Sequence, residues 1–329
     1  MRRVAALLAA ALLGTTVAAC GGGGAEPGAP KGATLVLDFQ PNAVHSGIYA
    51  AQAQGYFEDA GVDLHIQEPS STADSAKLLE TGRAEFAIMD INDFGIARER
   101  GLDLVAIAAI VQRPLASVIA RNPGEIRTPA DLAGKTIGVT GVPSDDAVLD
   151  TVLRSGGVDP SDVHRVTIGF NAAADLAAGK VDAATAFWNA EGVELQQRGI
   201  PIREFRVDES GAPRYPELVV ATTTGACPVE PAFMQGLGRG YARLGNQPQA
   251  ALDDLLGSVD GLDRGSQEAQ LDALLSARAF AAPGTARGAT DRISRLRALT
   301  WLDWAIGRGL VPGSAQEEIA AGFRGSPCR

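Results

Sequence analysis

The 329-residue chain is poor in the residues that build metal and nucleophilic sites, with only three cysteines and three histidines. Because no Cys or His pair stands at metal-ligand spacing, the sequence predicts no metal site. It also lacks a glycine-rich phosphate-binding loop of either common type. Ser144 and His164 are a candidate nucleophile and base, but no glycine-flanked elbow frames the serine. These absences favour a function that needs no metal, cofactor or catalytic nucleophile.

A basic excess is missing as well. The chain has 29 Lys and Arg against 39 Asp and Glu, for a net charge of −10. Because the chain has no basic stripe to neutralise phosphates, we expect no nucleic-acid partner. After the N-terminal leader, no apolar run reaches the roughly 20 residues that a membrane-spanning helix requires. The length allows two domains of ordinary size.

The N-terminus predicts export. Arg2 and Arg3 precede a short apolar run that ends in VAAC at residues 17–20. This arrangement is typical of a secretory signal, and the cysteine directly after VAA resembles a bacterial lipobox. We expect a signal peptide over residues 1–19, then a lipidated Cys20 and a Gly-rich tether over residues 20–32. The protein would then be held at the outer face of the bacterial cytoplasmic membrane by lipid alone; a secreted protein with a chance cysteine is the alternative.

Two cysteines remain once Cys20 is assigned to the lipid. Cys227 and Cys328 form an even pair in an oxidising compartment, which predicts one disulfide between the C-terminal tail and the body. Closing a loop of about 100 residues would contribute roughly 4 kcal/mol in the chain-entropy model. Two unpaired thiols are the alternative.

Strand-like and helical patterns alternate along the body of the chain. The strand-like runs cover residues 34–37, 62–66, 85–89, 104–111, 117–120, 136–139, 165–168, 183–187 and 218–222. Helical patterns cover residues 74–81 and 145–154, and another runs from Ile48 to a stop at Gly61. The alternation predicts an α/β fold of mainly parallel sheets flanked by helices. By itself it permits two lobes or one large doubly wound sheet.

Residues able to contact a ligand follow four of these strands. They are Asp38, Phe39, Asn42 and His45, with Tyr49 shortly beyond; Asp90 and Asn92; Pro143 and Ser144; and Trp188, Asn189 and Glu191. Open α/β sheets bind small polar ligands at the carboxyl ends of their strands, so we expect these side chains to share one site. Asp90, Ser144 and Asn189 could instead cap helices, and Trp188 could pack in the core.

Residues 37–57 resemble the opening of one solute-binding family: the thiamine-precursor (pyrimidine) binding proteins of ABC importers and their sulfonate-binding relatives. The shared pattern is Leu, Asn or Asp, an aromatic residue, then Pro, His and a second aromatic residue at fixed spacing, followed by Gly-Tyr-Phe. The matching residues are Leu37, Asp38, Phe39, Pro41, His45, Tyr49, Gly55, Tyr56 and Phe57. The run DLAGKTIGV at residues 131–139 resembles the element that opens the family's second lobe.

The resemblance implies a two-lobed periplasmic-binding-protein fold of type II with a small-molecule ligand in the interlobe cleft. Lobe 1 would comprise residues 33–113 and 224–329, and lobe 2 residues 114–223. It further implies a monomer that captures its ligand, closes about the hinge and delivers it to an ABC permease and its ATPase. A ligand-sensing lipoprotein on the same fold is a second class.

Residues 186–192 (AFWNAEG) closely resemble a run of the pyrimidine-precursor binders in which the glutamate addresses the aminopyrimidine ring. The resemblance implies that Glu191 binds the ring in a bidentate manner, between aromatic walls supplied by Phe39, Tyr49 and Trp188. Ala190 stands where that group often has Tyr, and Phe39 where it often has Trp, so a riboflavin-like or other heterocycle stays an alternative. The strand ends carry no Lys or Arg, which disfavours an alkanesulfonate or taurine.

An enzyme is an alternative class of function. The fungal enzyme that makes the thiamine pyrimidine shares this fold and resembles residues 37–83. It uses a lysine that binds pyridoxal phosphate, a nearby histidine and a cysteine-rich run. Met89 stands at the lysine position and Asp93 at the histidine position, and residues 219–225 contain no cysteine. Without the amine no Schiff base forms, so we expect a binding protein rather than an enzyme.

Overall fold

The computed structural model describes residues 30–70, 74–141, 143–280 and 293–328. The predicted signal peptide, Cys20 and most of the predicted tether lie outside these residues. Within the described ranges, no helix combines the length and apolar character needed to cross a membrane.

The described residues contain ten strands and twelve α-helices. The strands are β1 (Lys31–Val36), β2 (Val62–Gln67), β3 (Phe86–Asp90), β4 (Val105–Ala109), β5 (Ala116–Arg121), β6 (Thr136–Val139), β7 (His164–Thr167), β8 (Ala183–Phe187), β9 (Ile202–Arg206) and β10 (Leu218–Thr222). The helices are α1 (Ser46–Ala53), α2 (Tyr56–Asp59), α3 (Asp74–Glu80), α4 (Ile91–Glu99), α5 (Pro143–Ser155), α6 (Ala172–Ala178), α7 (Val193–Gln197), α8 (Glu230–Asn246), α9 (Pro248–Ser258), α10 (Arg264–Ser276), α11 (Arg295–Gly307) and α12 (Gln316–Gly322).

The strands form two five-stranded sheets, in the orders β2-β1-β3-β10-β4 and β7-β6-β8-β5-β9. In the first sheet only β10 runs against the other strands, and in the second only β5 does. The predicted mainly parallel sheets are therefore confirmed, and the alternative of a single large sheet is wrong. Strands β4 and β10 are buried along their whole length, which explains why they read as unbroken apolar runs.

Helices cover both faces of each sheet. One face of the first sheet packs against α1, α2, α8, α9 and α10 through a core that includes Ile48, Phe233 and Leu252. Its other face packs against α3, α4, α11 and α12 through a core that includes Phe94 and Trp301. The C-terminal helices thus belong with the first sheet. A disulfide joins Cys227, just beyond β10, to Cys328 of the tail, with the two Cα atoms 5.4 Å apart.

The chain crosses between the sheets twice, before β5 and before β10. The sequence analysis assigned residues 218–222 to lobe 2, but β10 pairs with β3 and β4 in the first sheet. The return crossing therefore lies in residues 207–217, before β10. An apolar run shows that a strand is buried but does not show which sheet accepts it, because that pairing joins residues far apart in the chain.

Two local predictions also need correction. The helix predicted from Ile48 to Gly61 is two helices, because Gly55 adopts a left-handed conformation with φ of 68° and interrupts the first. Strand β9 was not predicted. Its sequence, IREFR, places charged residues among apolar ones, and it forms the partly exposed edge of the second sheet.

Candidate ligand-binding cleft

A cavity lies between the two sheets, at the carboxyl ends of β1, β3, β6 and β8. Its volume, counted as the space open to the centres of water-sized spheres, is about 110 Å³. This is several times the roughly 10–15 Å³ that one water requires. The lining residues are Asp38, Phe39, Ser75, Ile88, Met89, Asp90, Asp93, Ala116, Ser117, Thr140, Ser144, Asp145, Val148, Phe170, Thr185, Ala186, Phe187, Ala190, Glu191 and Leu218. We call this space the inner chamber.

Among the described residues, the ionisable side chains that line the inner chamber are all acidic. Its described lining includes five carboxyl groups, from Asp38, Asp90, Asp93, Asp145 and Glu191, and no Lys, Arg or His. The rest of the lining is mostly apolar or aromatic, with a few hydroxyl groups. Carboxylates accept hydrogen bonds and attract cations. The chamber therefore suits a flat ligand that carries N–H donors or positive charge.

His45 positions Asp38 through a hydrogen bond from outside the chamber lining. The Asp38 carboxylate lies 2.9 Å from His45 Nε2, and the Asn42 amide N–H donates to His45 Nδ1 at 3.2 Å. Because Nδ1 accepts a hydrogen bond, the ring proton sits on Nε2 and is donated to Asp38. His45 is fully buried and does not line the chamber. It orients Asp38 rather than contacting the space itself.

Asp90 ends β3 and begins α4. Its Oδ1 accepts from the Asn92 amide N–H at 2.6 Å, which is the helix cap that the sequence left as an alternative. Asp90 nevertheless also lines the chamber, so the two roles coexist. Asn92 points elsewhere: its Oδ1 accepts from Trp301 Nε1–H at 2.7 Å and so ties α4 to α11.

Asp90 also hydrogen-bonds the fully buried Glu217. Burial raises the pKa of both carboxyl groups. The charge of Asp90 raises the pKa of Glu217 further, whereas the hydrogen bond with Glu217 favours the ionised form of Asp90. Glu217 Oε2 accepts from the Leu115 amide N–H at 2.8 Å. Leu115 lies in the first crossing and Glu217 ends the second, so this carboxyl joins both crossings to the chamber wall. The sequence analysis did not identify Glu217.

Asp93 and Ser144 lie on the two sides of the cleft. The Asp93 carboxyl group and Ser144, at the start of α5, both line the inner chamber, and the Ser144 hydroxyl acts to lower the pKa of Asp93. Burial, and then the nearby charge of Asp90, raise the pKa of Asp93 to about 8. Asp145 beside Ser144 accepts from Thr140 Oγ1–H at 2.6 Å and from Thr185 Oγ1–H at 2.9 Å. Asp93 and Asp145 were not among the predicted contacts, although both stand in the first turn of a helix after a predicted strand.

Glu191 lies in a single π-helical turn, Trp188–Gly192, directly after β8. Its Oε2 accepts from the Phe187 amide N–H at 3.0 Å. Burial raises the pKa of Glu191 to about 7. The carboxyl group can therefore be present in either protonation state near neutral pH, as a donor or as an acceptor.

Trp188 supports the wall from behind. It is buried, its Nε1–H donates to the Pro114 carbonyl oxygen at 3.0 Å, and the Arg206 guanidinium lies 4.2 Å from its ring centroid. Asn189 is also fully buried, and neither residue lines the chamber. Tyr49 belongs to the core beneath α1, where burial and then the charge of Glu68 raise its pKa to about 12.

Five of the predicted contacts thus meet in the inner chamber: Asp38, Phe39, Asp90, Ser144 and Glu191. Six lie outside its lining, namely Asn42, His45, Tyr49, Asn92, Trp188 and Asn189. Pro143 begins α5, and its side chain is outside the described part of the structure. Phe170, which was not predicted, follows β7 and meets Phe39 edge to face with ring centroids 4.7 Å apart.

Residues 42–251 match the model of the family described as NMT1/THI5 like. The chain belongs to this family. It is 31% identical over 278 residues to the formylaminopyrimidine-binding protein of Halalkalibacterium halodurans, covering 82% of this chain and 84% of that protein. A 4-amino-5-hydroxymethyl-2-methylpyrimidine phosphate synthase of Saccharomyces cerevisiae is 28% identical over 165 residues, covering 50% of this chain and 48% of the synthase.

The fold is that of the type II periplasmic binding proteins. The alkanesulfonate-binding protein SsuA of Xanthomonas axonopodis pv. citri, solved with bound MOPS, superposes with a TM-score of 0.69 at 18% identity. The superposition covers 89% of this chain and 98% of that one. At this identity the likeness establishes the fold alone. The family and the fold together identify this chain as a solute-binding protein.

Proposed function

We propose that this protein is the extracytoplasmic solute-binding lipoprotein of an ABC importer, and that it captures a thiamine-related aminopyrimidine and delivers it to the permease and its ATPase. The observation that carries the proposal is the inner chamber, which combines five carboxyl groups with aromatic walls and has no cationic side chain in its described lining. The formylaminopyrimidine-binding relative, matched over most of both chains, supports the same ligand class.

An aminopyrimidine satisfies this chamber chemically. Its exocyclic amine donates two hydrogen bonds, and its ring nitrogen accepts one. Glu191, with its pKa raised to about 7, can accept from the amine through one oxygen and share a proton with the ring nitrogen through the other. Phe39 and Phe170 offer flat apolar surface to the ring. Asp38 and Asp90 are available for further donors.

A sulfonate does not suit the same chamber. Its anionic head would face the carboxyl groups without a Lys or Arg in the described lining to offset them. Those of the five carboxyl groups that are ionised would repel that head in the partly desolvated cleft. The shared fold with a sulfonate-binding protein therefore does not extend to the ligand in this proposal.

The chamber also favours binding over synthesis. Met89 lines it and is 4% exposed, at the position that the resemblance aligns with the pyridoxal phosphate lysine. A thioether cannot form a Schiff base, and no lysine is present in the described lining. Incubation with pyridoxal phosphate should produce no internal-aldimine absorbance band.

Membrane attachment rests on the sequence around Cys20. Labelling of expressing cells with a fatty-acid analogue should mark the wild-type protein, and Cys20→Ser should abolish the label and release the protein from membranes. A wild-type protein that carries no lipid would remove the lipoprotein part of the proposal while leaving the ligand untouched.

Isothermal titration tests the ligand. We expect 4-amino-5-hydroxymethyl-2-methylpyrimidine or its formylamino analogue to bind, and taurine, alkanesulfonates and riboflavin to bind far more weakly. Glu191→Ala should abolish binding with the fold intact. Glu58→Ala is the matched control, because Glu58 is exposed on α2 and does not line the inner chamber. Tighter binding of a sulfonate than of any pyrimidine would overturn the proposal.

A further inference from the structure

A second cavity adjoins the inner chamber on the side of α7 and α10. We call it the outer chamber; its volume, counted in the same way, is about 510 Å³. Its lining residues are Phe39, Gln40, Pro41, Asn42, Phe170, Ala173, Ala190, Glu191, Glu194, Gln197, Arg198, Gly261, Leu262, Asp263, Ser266, Gln267 and Gln270. The lining comes from the loop after β1, from α6 and α7, which pack on the second sheet, and from α10, which packs on the first sheet.

Four residues line both chambers: Phe39, Phe170, Ala190 and Glu191. Three of them carry long side chains, whereas Ala190 contributes a single methyl group. Ala190 is therefore the point in the shared wall where the least side-chain volume separates the two spaces. A large residue there would fill the passage between Glu191 and the aromatic pair.

Both sides of the cleft bound the outer chamber. Gln197 of α7 donates through Nε2–H to the Gly265 carbonyl oxygen of α10 at 2.8 Å, which links the second sheet's helices to those of the first. The ionisable groups of its described lining are Glu191, Glu194, Asp263 and Arg198. Arg198 is held 3.0 Å from Glu194, so the chamber presents more negative than positive charge.

We propose that Ala190 sets the length of the ligand: it lets an aminopyrimidine held in the inner chamber continue past Glu191 into the outer chamber with a second polar or cationic ring. The inference deepens the proposed function, on which it rests. It assigns to this chain ligands with two linked rings in addition to the single pyrimidine. The excess of carboxylates in the outer chamber disfavours a second group that carries phosphate.

Thiamine is the probe, because it joins the same aminopyrimidine to a permanently cationic thiazolium ring. We expect thiamine to bind the wild-type protein, and thiamine diphosphate to bind more weakly. Ala190→Tyr should weaken thiamine roughly 10- to 100-fold, the usual scale of overpacking. It should weaken 4-amino-5-hydroxymethyl-2-methylpyrimidine by a smaller factor, because Ala190 also lines the inner chamber. Ala174→Tyr is the matched control, since Ala174 lies on the exposed side of α6 and lines neither chamber.

A second variant keeps the test decisive if Ala190→Tyr does not fold. Ala173 lines only the outer chamber, so Ala173→Leu should narrow that space and weaken thiamine without affecting the short pyrimidine. Binding of the pyrimidine but not of thiamine would overturn this inference and leave the proposed function standing. Equal weakening of both ligands by Ala190→Tyr, with the fold intact, would also overturn it. Failure of the wild-type protein to bind either ligand would instead overturn the proposed function.

Discussion

Phe39 and Phe170 meet edge to face across the cleft, with ring centroids 4.7 Å apart and planes inclined at 88°. Phe39 follows β1 of the first sheet, and Phe170 follows β7 of the second. The contact therefore joins the two lobes over the inner chamber, which Asp93 and Ser144 also line from its two sides. The two rings also line the inner chamber, so the contact between the lobes helps to set the shape of the binding space.

The aromatic contact predicts a cost in affinity. An edge-to-face pair contributes about 0.5–1.5 kcal/mol beyond buried area, so Phe170→Ala should raise the Kd of the pyrimidine roughly 3- to 10-fold. Phe170→Leu, which restores apolar volume, should recover part of the loss. Phe280→Ala, outside both chambers, should leave the Kd unchanged. Titration calorimetry measures all three, and an unchanged Kd for Phe170→Ala would show that this ring is not part of the closed site.

The raised pKa of Glu191 predicts a pH-dependent stability difference. Its pKa in the folded protein is about 7, above the ordinary value of 4.5, because burial disfavours the carboxylate. Its contribution to stability is therefore fully present below pH 4.5 and is lost as the pH rises through about 7. Glu191→Gln, which stays neutral, should raise the unfolding free energy of the ligand-free protein at pH 8 by roughly 1–3 kcal/mol and have little effect near pH 4.5.

Urea denaturation at several pH values measures that difference. Glu58→Gln provides the control, because Glu58 is exposed on α2 and lines neither chamber. An equal effect of Glu191→Gln at pH 4.5 and pH 8 would contradict the assigned direction of the shift.

Substitutions at His45 and Asp38 should distinguish a residue that positions the site from one that contacts the ligand. His45→Ala removes two buried hydrogen bonds and should lower the unfolding free energy by roughly 2–4 kcal/mol, besides weakening the ligand. Asp38→Asn keeps an acceptor for His45 Nε2–H but loses the charge, so it should weaken binding with little loss of stability. His65→Ala, on the exposed side of β2, should change neither quantity. Strong destabilisation by Asp38→Asn would show that Asp38 is chiefly structural.

The disulfide between Cys227 and Cys328 closes a loop over a sequence separation of 101 residues. Replacing both cysteines by serine should lower the unfolding free energy by about 4–5 kcal/mol in the chain-entropy model. Ligand affinity should not change, because neither cysteine lines either chamber. Titration of unreduced wild-type protein should find neither of these thiols free. Equal denaturation midpoints for oxidised and reduced protein would contradict the prediction.

The sequence by itself determined the fold class and the family, and it singled out Glu191, which the structure places in the lining of the inner chamber. These rest on local information: the period of apolar residues identifies strands and helices, and the runs at residues 37–57 and 186–192 are contiguous in the chain. Strand ends were enough to locate the region of the cleft, because parallel strands direct their carboxyl ends to one edge. Strand β9 escaped this reasoning because its charged residues hide the apolar pattern.

Only the tertiary structure decided which strand-end side chains face the cavity. Asp90 both caps α4 and lines the chamber. Trp188, in the same helical turn as Glu191, instead packs behind the chamber wall. Phe170 and Glu217 gain their roles from partners more than 100 residues away in the chain. Such contacts depend on how the two sheets meet, and contacts between residues so far apart in the chain leave no periodic pattern in the sequence. The same packing sets Ala190 between two chambers.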